Sequence, residues 1–143
     1  MEKILIIEDD WAQRVLYELE ISELGYEVIL AKDGLDAVEK FRSHRPGLVV
    51  LDLRMPDMEG LRALWKLLST NPSVPVIIHT AYSNYIENPI SEAAEAYVVK
   101  SSDLTEFKSA LQQVLSCRRH HAKRKSKSGG LKNGNNDKFR KIP

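Results

Sequence analysis

Several protein classes are excluded by what this chain lacks. Its one cysteine, Cys117, cannot form an internal disulfide, so no disulfide framework holds the fold and a reducing compartment suits it. No apolar run approaches the length of a membrane span. In "MEKILIIEDD" the four apolar residues are followed by three acids, too short a run for a signal peptide, so a cytoplasmic protein without membrane contact is expected. No internal repeat is present. The small net charge of +1 is a cancellation: residues 1–117 carry 11 Lys/Arg against 19 Asp/Glu, a balance of −8, and residues 118–143 carry 10 Lys/Arg against one Asp, a balance of +9.

The 143 residues are one domain's worth of chain, and 43% hydrophobic with 29% charged is ordinary globular composition. Short apolar runs alternate with helical patterns. "KILII" (3–7), "EVILA" (27–31), "LVVLDL" (48–53), "VPVIIHT" (74–80) and "AYVVK" (96–100) read as strands. Between them lie a helix over 11–24 ended by Gly25, one with Leu35, Val38 and Phe41 on one face stopped near Pro46, and one with the stripe Leu61, Leu64, Trp65 and Leu68. The segment before the fifth strand contains Pro89, which predicts a late or irregular helix. The last helix has Asp103 as N-cap and a stripe from Leu104 to Leu115. Five such β/α units with continuous apolar strands predict an α/β fold, a parallel sheet with helices on both faces. From 118 on, "RRHHAKRKSKSGGLKNGNNDKFRKIP" lacks apolar periodicity. It cannot bury enough apolar surface to offset the entropy of ordering it, so a folded domain over 1–117 and a basic, mobile tail over 118–143 are expected.

Ligands of open parallel α/β sheets bind outside the carboxyl ends of the strands, and the chemistry-bearing residues fall there. Strand one ends in Glu8-Asp9-Asp10, strand three in Asp52, strand four in Thr80 and strand five in Lys100. Crowded carboxylates repel unless a cation lies between them, and Mg²⁺ suits such a site because it takes one or two carboxylates together with waters and phosphoryl oxygens. Asp52 could then attack phosphorus as a nucleophile, with Lys100 and the Thr80 hydroxyl stabilising the transferring group. Each residue has a plain structural explanation when taken alone. Asp52 can simply terminate a strand, and the acidic cluster can simply open a helix. Those explanations leave unexplained why four strands end in complementary groups.

The ordered set "ILIIEDD", "LVVLDLRMPD", "VIIHTAY" and "AYVVK" resembles the receiver domain of two-component response regulators over residues 3 to about 117. The resemblance implies a doubly wound, flavodoxin-like five-stranded sheet of order 2-1-3-4-5 and a Mg²⁺-dependent phosphoacceptor. It makes Asp52 the phosphorylated residue, Asp9 a direct metal ligand, Glu8 a ligand acting through water, and the Arg54 backbone carbonyl a further ligand. Asp10 falls one position past the acidic pair. Thr80 and Lys100 would bind phosphoryl oxygens, Tyr97 would swing inward when Thr80 moves, and the Arg54 and Tyr82 side chains would tune phosphoryl lifetime. Pro56 and Gly60 match the loop after the aspartate. Two positions depart from the family pattern. Ala93 replaces a glycine, and Ser101 replaces the proline that follows the lysine through a cis bond; before a non-proline residue that bond costs about 2.5–4 kcal/mol.

The function implied is that of a single-domain response regulator. A sensor histidine kinase or histidine phosphotransfer protein would donate to it, and an unknown downstream protein would read the last helix–strand–helix surface. It would be no enzyme beyond its own phosphorylation and dephosphorylation. The alternative is a receiver-like scaffold that works without phosphorylation. Phosphatases with an aspartate nucleophile also resemble the Asp52 stretch, but they need a second aspartate two residues on, where this chain has Arg54. The basic tail contains one aromatic, Phe139, and no recognition helix, so any nucleic-acid binding should be salt-sensitive and indifferent to sequence. His79 is expected at the core or pocket edge, His120 and His121 form no metal site, and Trp11 and Trp65 are read as core or boundary packing.

Overall fold

The computed structural model describes residues 2–52, 58–71, 73–81 and 93–128, with backbone only for 58–61, 70 and 118–128. The elements run β1 (Lys3–Ile7), α1 (Trp11–Ser22), β2 (Glu27–Ala31), α2 (Gly34–His44), β3 (Leu48–Leu51), α3 (Met58–Thr70), β4 (Val76–Thr80), β5 (Ala96–Val99) and α4 (Thr105–Ser128). The strands form one all-parallel sheet in the order β2-β1-β3-β4-β5, the fold expected from the sequence.

Alternate strand residues point to opposite faces, and both faces are buried, which is why the strands read as unbroken apolar runs. Leu5, Ile7, Val49, Leu51 and Ile78 pack with Ala37 and Phe41 of α2 and Leu64 and Leu68 of α3. Ile4, Ile6, Val50, Ile77 and Val98 pack with Tyr17 and Ile21 of α1 and with Phe107 and Leu111 of α4. Trp65 packs at the boundary of the first cluster, as expected. Trp11 does not pack: it is 71% exposed, and with Val15 and Leu19 one and two turns on it forms an outward apolar stripe on α1. Leu35 is also exposed, and α2 turns Gly34, Ala37 and Phe41 inward instead.

The helix ends follow from local chemistry. Asp10 caps α1, its carboxylate accepting from Gln13 N at 3.2 Å, and Asp33 caps α2, accepting from Asp36 N at 2.8 Å. α1 ends before Gly25, whose φ of 93° turns the chain toward β2; a Cβ there would meet no atom within 4 Å, so backbone conformation is what favours glycine. α2 closes on Arg45 in the left-handed region, just before Pro46. Asp103 stands one residue further out than an N-cap: its Oδ1 accepts from Thr105 N at 3.0 Å, while Leu104 O accepts the first helical bond, from Lys108 N.

The expected boundary at residue 117 falls inside a helix. α4 continues through Ser128, so the first part of the basic segment is helical backbone; residues 129–143 lie outside the described residues. Once a helix is nucleated, each added residue gains a hydrogen bond at little cost. Lys, Arg and Ala propagate it well, and cations suit the C-terminal end of the dipole.

Candidate functional site

Register builds the site. Ile7 pairs with Leu51, so the next residues, Glu8 and Asp52, emerge side by side at the carboxyl edge of the sheet. Thr80 pairs with Val99, which puts Lys100 at the same edge, with Lys100 N donating to Thr80 O at 2.7 Å. β3 stops at Leu51 and β5 at Val99, one or two residues short of expectation, so Asp52 and Lys100 lie just beyond their strands. β4 begins at Val76, after Pro75, which has no N–H to give a ladder.

The Lys100 ammonium is the hub. It donates to Glu8 Oε1 at 2.6 Å, to Asp52 Oδ2 at 3.1 Å and to the Gln13 amide oxygen at 2.6 Å. Glu8 and Asp52 are buried, with side chains only 2% and 6% exposed. Two carboxylates can share so dry a place because one cation lies between them. Burial raises the Glu8 carboxyl above its ordinary value, the Lys100 hydrogen bond and charge pull it back down, and the neighbouring Asp9 carboxyl raises it further. Glu8 is held from three more directions: Asp10 N donates to its Oε2 at 3.2 Å, Arg14 donates to its carbonyl at 2.8 Å, and its own N–H donates to Ala31 O. Thr80 and Tyr97 are fully buried, Tyr97 lying inward on the face of the sheet that packs against α2 and α3.

Behind the pocket His79 is buried, as expected. Its Nδ1 shares a hydrogen bond with the Tyr17 hydroxyl, and its ring stacks on Phe107 at 4.5 Å with planes 15° apart. Burial, assisted by the Lys100 charge, pushes the His79 pKa down to about 3, and burial raises that of Tyr17, so both rings are neutral at neutral pH.

Of the residues picked out in the sequence, Glu8, Asp52 and Lys100 come together directly, Asp9 follows Glu8 in the chain with its side chain exposed, and Thr80 adjoins them through its backbone. Asp10 acts as the cap of α1. Arg54, Pro56 and Tyr82 lie outside the described residues, and Gly60 lies in α3. Among the described residues no peptide bond is cis, so Lys100 joins Ser101 in trans and still reaches the pocket. Gln13 is the site residue that sequence reasoning missed; no motif marks it, and only folding shows that its side chain reaches Lys100.

The donor chemistry fits a hard divalent ion: two buried carboxylates on one ammonium, with a third acid in reach of Glu8. Among the described residues no group of three or more His, Cys, Asp or Glu side chains stands ready as a metal cage, and here Lys100 draws Glu8 and Asp52 to itself.

Residues 4–112 match the family of the response regulator receiver domain. Sporulation initiation phosphotransferase F of Bacillus subtilis is 32% identical over 116 residues, which cover 80% of this chain and 94% of that protein. The transcriptional regulatory protein ZraR of Klebsiella oxytoca is 34% identical over 114 residues, 78% of this chain, and the chain spans only 26% of that relative. It likewise spans 48% of a probable transcriptional regulator ycf27 from Porphyridium aerugineum. Among solved structures, the response regulator protein TrrA of Thermotoga maritima in complex with Mg²⁺–BeF superposes with a TM-score of 0.73 at 36% identity, covering 80% of this chain and 99% of that one. TrrA in complex with the histidine kinase ThkA gives a TM-score of 0.72 at the same identity and coverage. Sheet order, strand-end chemistry and these matches agree, and the chain belongs to the response regulator receiver domain family.

Proposed function

We propose that this chain is a phosphoacceptor switch. A phosphohistidine on a sensor kinase or phosphotransfer protein donates to Asp52: a carboxylate oxygen attacks phosphorus, the P–N bond breaks with its electron pair leaving on the imidazole, and an acyl phosphate forms. The observation that carries this reading is the Lys100 ammonium set between Asp52 and Glu8 in a nearly dry pocket at the sheet edge. Fixed charge in such a place stabilises a transferring phosphoryl group far better than it would in water.

Mg²⁺, held by Glu8, Asp9, Asp52 and the Arg54 carbonyl, would supply neutralisation of the phosphoryl oxygens. The Mg²⁺–BeF complex of TrrA supports that assignment. Lys100 and Thr80 bind the phosphoryl oxygens, Tyr97 follows Thr80, and partners then read the changed surface. The complex of TrrA with a histidine kinase supports a protein donor, and so does the exposed stripe of Trp11, Val15 and Leu19 on the helix that opens beside the pocket. The protein works in the cytoplasm as a regulator, catalysing only its own phosphorylation and dephosphorylation; among the described residues no helix is long and apolar enough to cross a membrane.

The test is incubation with acetyl phosphate and Mg²⁺ followed by intact mass. One phosphoryl mass is expected on wild type and none on Asp52→Asn. Undiminished labelling of Asp52→Asn would sink the assignment, and an unlabelled wild type would favour a scaffold that works without phosphorylation.

A further inference from the structure

An ammonium has three N–H donors, and Lys100 meets three acceptors: Glu8 Oε1, Gln13 Oε1 and Asp52 Oδ2. Two of them are carboxylates that the phosphoacceptor reading needs for other work. Gln13 is the neutral one of the three. Its place is set by a closed ring of hydrogen bonds: Lys100 Nζ donates to Glu8 Oε1, Asp10 N to Glu8 Oε2, Gln13 N to Asp10 Oδ2, and Lys100 Nζ again to Gln13 Oε1. The cap of α1 thus aims an amide oxygen at the ammonium.

We propose that Gln13 is a positioning residue for phosphoryl transfer, its amide oxygen holding the Lys100 ammonium at the pocket while the ammonium exchanges carboxylate partners for a phosphoryl oxygen. The proposal rests on the phosphoacceptor reading above. The lysine stem is long and flexible, and a head released by both carboxylates would sample many rotamers. A neutral amide keeps the head in place without cancelling its charge, so the charge stays available to the phosphoryl group. A carboxylate at position 13 would hold the head equally well but compete with the phosphoryl group for it.

The experiment uses the full chain as wild type, Gln13→Met, Lys100→Met and the double variant, labelled by acetyl phosphate at saturating Mg²⁺ and followed by intact mass. Gln13→Met should slow labelling about fivefold, the net effect of one ordinary hydrogen bond. In the Lys100→Met background it should slow labelling no further, because the two residues act as one unit. Without Mg²⁺ or phosphate, the ¹⁵N signal of the Lys100 ammonium should be sharp in wild type, where three acceptors hold it, and broader in Gln13→Met, a change that a general loss of stability would not produce. Gln13→Ala, which adds no volume, should repeat the slowing and so separates the lost acceptor from any misfit of Met. Equal rates in wild type and Gln13→Met, equal slowing with and without Lys100, or an unchanged ammonium signal each overturn the proposal alone. A wild type that takes no phosphoryl mass overturns the phosphoacceptor reading and this proposal with it.

Discussion

Lys100 and Asp52 leave strands that are two places apart in the sheet, with β4 between them, yet their charged atoms lie 3.1 Å apart. The ammonium that joins them also neutralises Glu8, so removing it leaves two carboxylates facing each other in a buried place. Lys100→Met should lower unfolding free energy by about 3 kcal/mol at neutral pH, the cost of breaking a buried pair. Millimolar Mg²⁺ should return part of that loss, because a divalent ion takes over the neutralisation. Denaturant midpoints with and without Mg²⁺ check this; a variant as stable as wild type would mean that the carboxylates do not depend on Lys100.

His79 sets a pH dependence. Its folded pKa is about 3, against an ordinary 6.5, so between those values the unfolded chain binds a proton that the folded chain does not. Stability is therefore fully present above about pH 6.5 and falls as pH drops toward 3, with a limiting slope of about 1.4 kcal/mol per pH unit from this one group. Glu8, whose folded pKa is raised, acts with opposite sign in the acid range, so the comparison must be between proteins. The difference in unfolding free energy between wild type and His79→Gln should shrink as pH falls from 6.5 to 4. A constant difference over that range would show that His79 is protonated in the folded state.

Phe107 and Leu111 anchor α4 to the sheet, both almost wholly buried. Leu111→Ala should cost about 2–5 kcal/mol, whereas acetyl-phosphate labelling measured well below the melting temperature should change little, because Leu111 packs in an apolar cluster that includes none of Glu8, Asp52, Thr80 and Lys100. A large loss of labelling in a folded Leu111→Ala protein would mean that α4 packing controls the pocket.

The basic segment follows the apolar stripe of α4, whose buried residues, among the described ones, end at Leu115. Deleting 118–143 should lower far-UV helix content and change unfolding free energy by less than about 1 kcal/mol, since most helical stability in proteins comes from packing of an apolar face, which the sequence of this segment lacks. Binding of the intact chain to duplex DNA should weaken steeply with salt and be the same for unrelated sequences. A sequence-specific footprint would overturn this reading.

Strands were legible in the sequence because both faces of the sheet are buried: a run such as "KILII" admits few alternatives, and β1 and β2 have the bounds their sequences predict. The strand-end groups were legible for a related reason, since a polar residue directly after a buried strand is aimed by the sheet wherever the chain turns next. Helix faces were less legible. Trp11 and Leu35 look like core residues by composition, but a helix buries only the stripe its neighbours cover, and that depends on packing angles that local sequence does not encode. The full length of α4 was not legible either, because a polar, basic segment carries no apolar period to show that a helix packed before it continues. What only the tertiary structure decided is who shares the Lys100 ammonium. Glu8, Gln13, Asp52 and Lys100 meet because parallel register sets three separate pieces of chain at one edge, and hydrogen bonds between residues up to 92 positions apart leave no periodicity in the sequence to be read.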